Sequence, residues 1–274
     1  MDNTYQIYLI SDSTGETLDR IFLAIKAQFK NFNYKIHHYS FSRTENQILK
    51  ILNTAKQQKK SIILYTIVDS NLARFLGRES GKIKIPCFGI LGDLIISFSK
   101  LLNQEATHLP SGQHELNAEY YDKIEALQFT MNHDDGNSIN DIEKSDIILL
   151  GVSRTSKTPT AIYLANKGLR TSNIPLVNEN SIPELLKKNP KITCVVGLTT
   201  EAERLADVRK NRLNTLKETE SIDYINLDKI KKEVEEAKKT FRKYQWPTID
   251  MTRKSVEETA ASIIKIHEIF KNDD

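Results

Sequence analysis

Short apolar runs separated by stretches with a helical repeat set the pattern of this chain. Residues 5–10, 34–39, 61–68 and 85–91 read as strands in the first half, and residues 146–150, 172–177, 192–198 and 246–251 in the second. Between them, apolar positions recur every three or four residues. Leu18, Ile21, Phe22, Ile25 and Phe29 form such a stripe on a helix entered through the polar turn at 11–17, where Ser13 and Glu16 have capping-box spacing. Helices are predicted over 44–58, 70–79 and 94–102. A further helix over 115–131 has Leu116, Tyr120, Ile124, Leu127 and Met131 as its apolar positions. In the second half, helices are predicted over 159–167, from residue 182, from residue 200, over 222–243 and over 255–270. Thr200 with Glu203, and Ser255 with Glu258, repeat the capping-box spacing.

Strands alternating with helices at this interval imply parallel pairing, so the fold class is α/β, in two halves with mainly parallel sheets. The expected division is an N-terminal α/β domain over 1–102, a connecting helical segment over 103–140, and a C-terminal P-loop kinase-like domain over 141–274. The halves share one unit, strand–polar turn–helix, at 5–29 and 146–168.

The second copy of that unit carries the sharpest chemistry. Gly151, Val152, Ser153, Arg154, Thr155, Ser156, Lys157 and Thr158 lie between a buried strand and a helix, spaced as G-x-x-x-x-G-K-[ST], with Ser156 in place of the second glycine. Amides at a helix start, at the positive end of its dipole, suit phosphate oxygens. Lys157 would add a point charge to the terminal phosphates, and the Thr158 hydroxyl would hold Mg²⁺. A Cβ at Ser156 narrows the loop if that position needs a positive φ. The competing reading is an ordinary Ser/Thr-rich loop before a helix; the strand and helix in the right places favour phosphate.

Three weaker constellations follow. Asp134 and Asp135, in the run His133-Asp134-Asp135-Gly136, could bind Mg²⁺ or supply a general base, or could simply form a polar helix terminus. The turn at 11–17 sits where α/β sheets bind ligands, but it has no lysine, so an anion there would rest on amides and hydroxyls; a well-capped helix start explains it equally. Arg204, Arg209 and Arg212 can share one helix face and clamp phosphate, against the plainer reading of a solvated surface.

Composition removes several classes. The 39 basic and 36 acidic residues leave a net charge of +3, which offers no support for nucleic-acid binding. The longest apolar runs, such as 62–68, are too short to span a bilayer, so no membrane role is expected. The polar, acidic start lacks a secretory pattern, and Cys87 and Cys194 are isolated within or beside apolar runs. A reducing, cytoplasmic setting is expected.

Taken together, several stretches resemble one family: the bifunctional regulatory proteins of pyruvate, phosphate dikinase, with their relatives acting on phosphoenolpyruvate synthase. The stretches are ISDSTGETLDR at 10–20, IEALQFTMNHDDG at 124–136, GVSRTSKTPTAIYLANKG at 151–168, NIPLV, VGLTTEAERL, and IDMTRKSVEETAASI at 249–263. They span nearly the whole chain, and Ser156 is the form this family carries. The resemblance implies a kinase that moves the β-phosphoryl group of ADP to a target threonine beside a catalytic histidine, inactivating the target. It also implies the reversal, in which inorganic phosphate removes that group as pyrophosphate. By position, residues 151–158 would be the ADP loop, with Lys157 neutralising charge. Asp134 or Asp135 would orient the threonine hydroxyl or a Mg²⁺, with Asp12 in reserve. The partner would be pyruvate, phosphate dikinase or phosphoenolpyruvate synthase, and a homodimer is in keeping with the family. Two other readings stay open: an ATP-dependent small-molecule P-loop kinase, and a nucleotide-sensing module without chemistry.

Overall fold

The computed structural model describes residues 4–112, 117–216 and 222–272. The chain divides into two compact units, Met1–Glu115 and Leu116–Asp274. Among the described residues each unit holds one four-stranded sheet, every pairing parallel. No helix among them is long and apolar enough to cross a membrane.

The first unit runs β1 (Tyr5–Ser11), α1 (Glu16–Lys26), β2 (Tyr34–Tyr39), α2 (Glu45–Lys56), β3 (Ser61–Thr66), α3 (Ser70–Lys82), β4 (Cys87–Gly89) and α4 (Gly92–Leu102). Its strand order is β2-β1-β3-β4. Successive residues of a strand face opposite sides, so β1 feeds two cores. Ile7 and Leu9 pack with Leu18 and Phe22 of α1, while Tyr8 and Ile10 pack with Ile48, Leu52, Leu72 and Leu76 of α2 and α3. Burial on both faces explains why β1 reads as an apolar run.

Two details of α1 differ from the sequence pattern. The Ser13–Glu16 capping box does not form: Gly15 precedes the helix at φ 91 with no side-chain cap, and the Ser13 hydroxyl instead accepts from Ser111. Of the expected stripe, Leu18 and Phe22 are buried, whereas Ile25 in the last turn and Phe29, beyond the helix end at Lys26, are exposed. A capping box does form at the next helix, between Thr44 and Gln47 at the start of α2.

The second unit begins with α5 (Ala118–Asn132); Glu115 and Leu116, where the pattern starts this helix, lie outside the described residues. Then come β5 (Ile147–Gly151), α6 (Lys157–Ala165), β6 (Thr171–Pro175), α7 (Glu184–Lys188), β7 (Cys194–Thr199), α8 (Ala202–Leu216), α9 (Leu227–Lys243), β8 (Thr248–Asp250) and α10 (Val256–Asn272). Strand order is β6-β5-β7-β8, the order of the first sheet, so the unit shared by the two halves recurs as a whole topology. Ile147, Leu149, Val196 and Leu198 face α6 and α10, while Ile148, Leu150 and Val195 face Leu205 of α8 and Ile230, Val234 and Phe241 of α9. The Ser255–Glu258 capping box is present, with each backbone amide donating to the other side chain.

Helix α5 buries a face different from the one its large apolar residues mark. Tyr120, Ile124 and Met131 are exposed, and Ala126 and Thr130 are buried. The helix packs on α6 and β6, where close approach favours small residues, and the Thr130 hydroxyl accepts from the Thr171 amide at 3.0 Å.

Candidate functional site

After β5 the chain turns to β6 on one side, and later returns to β7 on the other. The carboxyl end of β5 is therefore the switch point of this sheet, where the connections diverge and leave a crevice. The loop from Gly151 to Lys157 sits there. Two of its residues, Arg154 (φ 74) and Ser156 (φ 53), adopt left-handed backbone, and Ser156 is the N-cap of α6. The need for positive φ at Ser156 is thus real, at a cost of about 1 kcal/mol for a residue with a Cβ.

Gly151 serves a purpose other than turning. A Cβ there would lie 2.5 Å from Thr155 Oγ1 and 2.8 Å from the Leu198 carbonyl oxygen. The glycine lets β7 and the returning loop close on the end of β5. Thr155 is held in that position by donating to the Val152 carbonyl at 2.9 Å. The first-turn amides of α6 have no intrahelical acceptor and face the crevice end of the helix.

Lys157 folds over the same loop. It is only 5% exposed, and its Nζ donates to the Val152 carbonyl at 3.2 Å. Burial pulls its pKa down to about 8, an effect partly offset by the carboxylates of Asp135 and Asp134. The structure thus brings the lysine and both aspartates into one electrostatic cluster.

The two aspartates have different surroundings. They form a 3-10 turn, Asp134–Gly136, in which Asp135 takes left-handed backbone (φ 50, ψ 36). Asp134 Oδ1 accepts from the Thr158 hydroxyl at 2.8 Å and from the Asn173 side-chain amide. The Asp135 carboxylate is exposed and makes no hydrogen bond or ion pair among the described residues. His133 does not join them. It is buried and stacked on Phe129, with Nδ1 2.8 Å from the Phe129 carbonyl and Nε2 2.8 Å from Asp141 Oδ1. It anchors the turn from behind.

Asn173 was not anticipated as a site residue. Its side chain accepts from the Asp135 amide at 3.2 Å while donating to Asp134, and its own amide donates to the His133 carbonyl. It clamps the turn against β6. The signal was visible: Thr171, Ser172 and Asn173 are three consecutive polar residues in a strand buried from Thr171 to Ile174. Such a strand needs polar partners, and Thr130, Ser145 and Asp134 provide them.

The arginine face also resolves differently. Arg204 and Arg212 are exposed, whereas Arg209 is 2% exposed. Its guanidinium meets Glu233 Oε2 at 2.6 Å, donates to the Ser153 carbonyl at 3.4 Å and the Tyr224 carbonyl at 3.2 Å, and lies 4.7 Å from the Tyr224 ring centre. Periodicity puts the three on one side of α8, but only Arg209 points under the loop, so it braces the loop from within.

In the first unit the turn at 11–17 lines a cavity of about 210 Å³ at the equivalent switch point, between β1 and β3. Asp12 is buried there, accepting from the Val68 amide at 2.7 Å, and burial raises its pKa.

A family model described as kinase/pyrophosphorylase matches residues 7–264. The chain belongs to the kinase/pyrophosphorylase family. Among its relatives in that family, a pyruvate, phosphate dikinase regulatory protein of Pelagibacter ubique (strain HTCC1062) is 70% identical over 272 residues, covering 99% of both chains. Proteins of the same name from Chelativorans sp. (strain BNC1) and Sphingopyxis alaskensis are 42% and 43% identical over 262 residues, covering 96% of each chain. The family's description has two parts: a kinase moves a phosphoryl group, and a pyrophosphorylase makes or breaks a phosphoanhydride.

Proposed function

We propose that this chain transfers the β-phosphoryl group of ADP to a threonine of pyruvate, phosphate dikinase, and that it removes the group with inorganic phosphate, releasing pyrophosphate. One observation carries the reading. A buried lysine lies over a phosphate-type loop at a sheet switch point, beside a turn that offers one engaged carboxylate and one free one. The names of the relatives favour the dikinase over phosphoenolpyruvate synthase as target. ADP as donor makes the cytoplasm the compartment.

The residues divide the work as follows. Amides of residues 151–158 cradle the terminal phosphates, and Lys157 turns from the Val152 carbonyl to neutralise them. Asp135 takes the proton of the threonine hydroxyl as its oxygen bonds to the β-phosphorus, and AMP departs. In reverse, a phosphate oxygen attacks the phosphothreonine phosphorus, Asp135 returns the proton to the threonine oxygen, and pyrophosphate departs. Catalysis of this kind is mostly positioning and charge neutralisation.

Asp134 and Thr158 suit Mg²⁺. Their oxygens are 2.8 Å apart. Both are hard oxygen donors, the kind Mg²⁺ takes. When bound, the ion would neutralise phosphate charge.

The test is Asp135→Asn, assayed with purified dikinase and ADP, the modified residue being mapped by mass spectrometry. Transfer should slow by about 10²–10⁴ with ADP affinity kept. Transfer at the normal rate would remove Asp135 as base. A wild-type protein that turned over a metabolite with ATP and ignored ADP would instead support a small-molecule kinase.

A further inference from the structure

Beside the phosphate loop, at the carboxyl end of β6, lies a cavity of about 270 Å³ whose walls include Leu176, Val177, Glu179, Glu233, Glu236 and Ala237. Glu233, Glu236 and Ala237 fall three and four residues apart on α9 and so share one face. Two contacts tie the cavity to the loop. The Leu176 amide donates to the Gly151 carbonyl at 2.9 Å, and Glu233 is joined through Arg209 to the Ser153 carbonyl.

The lining has a definite chemistry. Glu179, Glu233 and Glu236 supply acceptors and Lys239 a cation, while Leu176 and Ala237 form a buried apolar floor and Val177, 74% exposed, stands free at the rim. Two of the carboxylates are already engaged: Glu233 by Arg209, and Glu179 by Lys243 and the Tyr244 hydroxyl. Glu236 makes no side-chain hydrogen bond or ion pair among the described residues. In dinucleotide-binding doubly wound folds, an acidic group beyond the second strand meets the ribose of a nucleotide whose phosphates rest on the first helix. Here Glu179 follows β6 but is taken by Lys243, and Glu236 of α9, unpaired among the described residues, lines the same cavity. This cavity holds that position relative to β5 and α6.

We propose that the cavity is the nucleoside subsite of the phosphate loop, with Glu236 accepting hydrogen bonds from the ribose hydroxyls and Val177 packing on the base. This rests on the reading of a nucleoside diphosphate as donor. The subsite serves only the ADP-dependent direction, since inorganic phosphate and pyrophosphate have nothing to place in it. One loop then handles two reactions, and the cavity distinguishes them.

Calorimetric titrations of the full chain with ADP, 2′,3′-dideoxy-ADP and pyrophosphate test the proposal, comparing wild type with Glu236→Ala and Val177→Glu. Both positions are exposed, so folding is preserved. Glu236→Ala should weaken ADP binding about tenfold or more, as expected for lost hydrogen bonds to a charged acceptor. It should abolish discrimination between ADP and its dideoxy analogue. Val177→Glu should also weaken ADP, and pyrophosphate affinity should stay within about twofold in both. Unchanged ADP affinity, or a preserved ADP-to-dideoxy ratio in Glu236→Ala, would overturn the subsite while leaving the loop assignment intact. If wild type bound neither pyrophosphate nor ADP, the phosphate-loop reading would fall, and the subsite with it.

Discussion

Lys157 should be a burden on stability that function retains, and replacing it with methionine exposes the burden. Its pKa is pulled from 10.5 to about 8. At 1.36 kcal/mol per pH unit, holding the buried ammonium costs roughly 3 kcal/mol. Below pH 8 the native lysine is charged, and the full cost applies. Between pH 8 and 10.5 the unfolded chain binds more protons than the native one, so stability rises with pH and the cost fades. Methionine fills similar space without charge but loses the hydrogen bond to the Val152 carbonyl, worth about 1 kcal/mol. The net gain for Lys157→Met is about 2 kcal/mol at pH 7, or roughly 4–8 °C for a domain of this size. The chain's one tryptophan, Trp246, is buried in the second unit, so its fluorescence follows denaturant unfolding there. The gain should be present at pH 7 and should shrink towards pH 10.5, while pyrophosphate binding is lost at every pH. A variant less stable than wild type at pH 7, or a difference that ignores pH, would refute the burial argument.

Three further substitutions probe the frame around that lysine. Gly151→Ala places a methyl 2.5 Å from Thr155 Oγ1 and 2.8 Å from a β7 carbonyl, so it should lower unfolding stability by about 1–3 kcal/mol; chemical denaturation measures this, and no loss would mean the strands are not so close. Ser156→Gly relieves a left-handed serine but loosens the unfolded chain, so stability should change by less than about 1 kcal/mol and pyrophosphate affinity should be kept, as titration calorimetry would record. The Arg209–Glu233 pair is asymmetric, the arginine being 2% exposed and the glutamate 39%. Glu233→Ala strands a buried cation and should cost about 3 kcal/mol, whereas Arg209→Met leaves a carboxylate that water can reach and should cost about 1 kcal/mol. Equal costs in paired melts would argue against that asymmetry.

Legibility along the chain followed the range of the interactions. Strands β5 and β7 could be read because burial on both faces makes apolar runs, and β2, which has no buried residue, still matches its predicted bounds residue for residue. The loop could be read because its spacing follows from the reach of one turn. Helix α5 misled because its partners are close, and contact distance rather than hydrophobicity chose Ala126 and Thr130 for burial. Ser13 and Glu16 had capping-box spacing, yet Gly15 took the cap once Ser13 met Ser111, a residue far along the chain.

Sequence alone settled the α/β class, the parallel sheets, the family, and the two short segments that meet at the crevice. Those are matters of local pattern, where spacing of two, three or four residues decides which side chains share a face. Tertiary structure decided which aspartate is free, that Asn173 holds the turn, that only Arg209 of its face lies beneath the loop, and that α9 walls a cavity beside it. Each of those depends on contacts between residues 24 to 60 or so positions apart, and no local repeat encodes which distant partner a buried polar group will find.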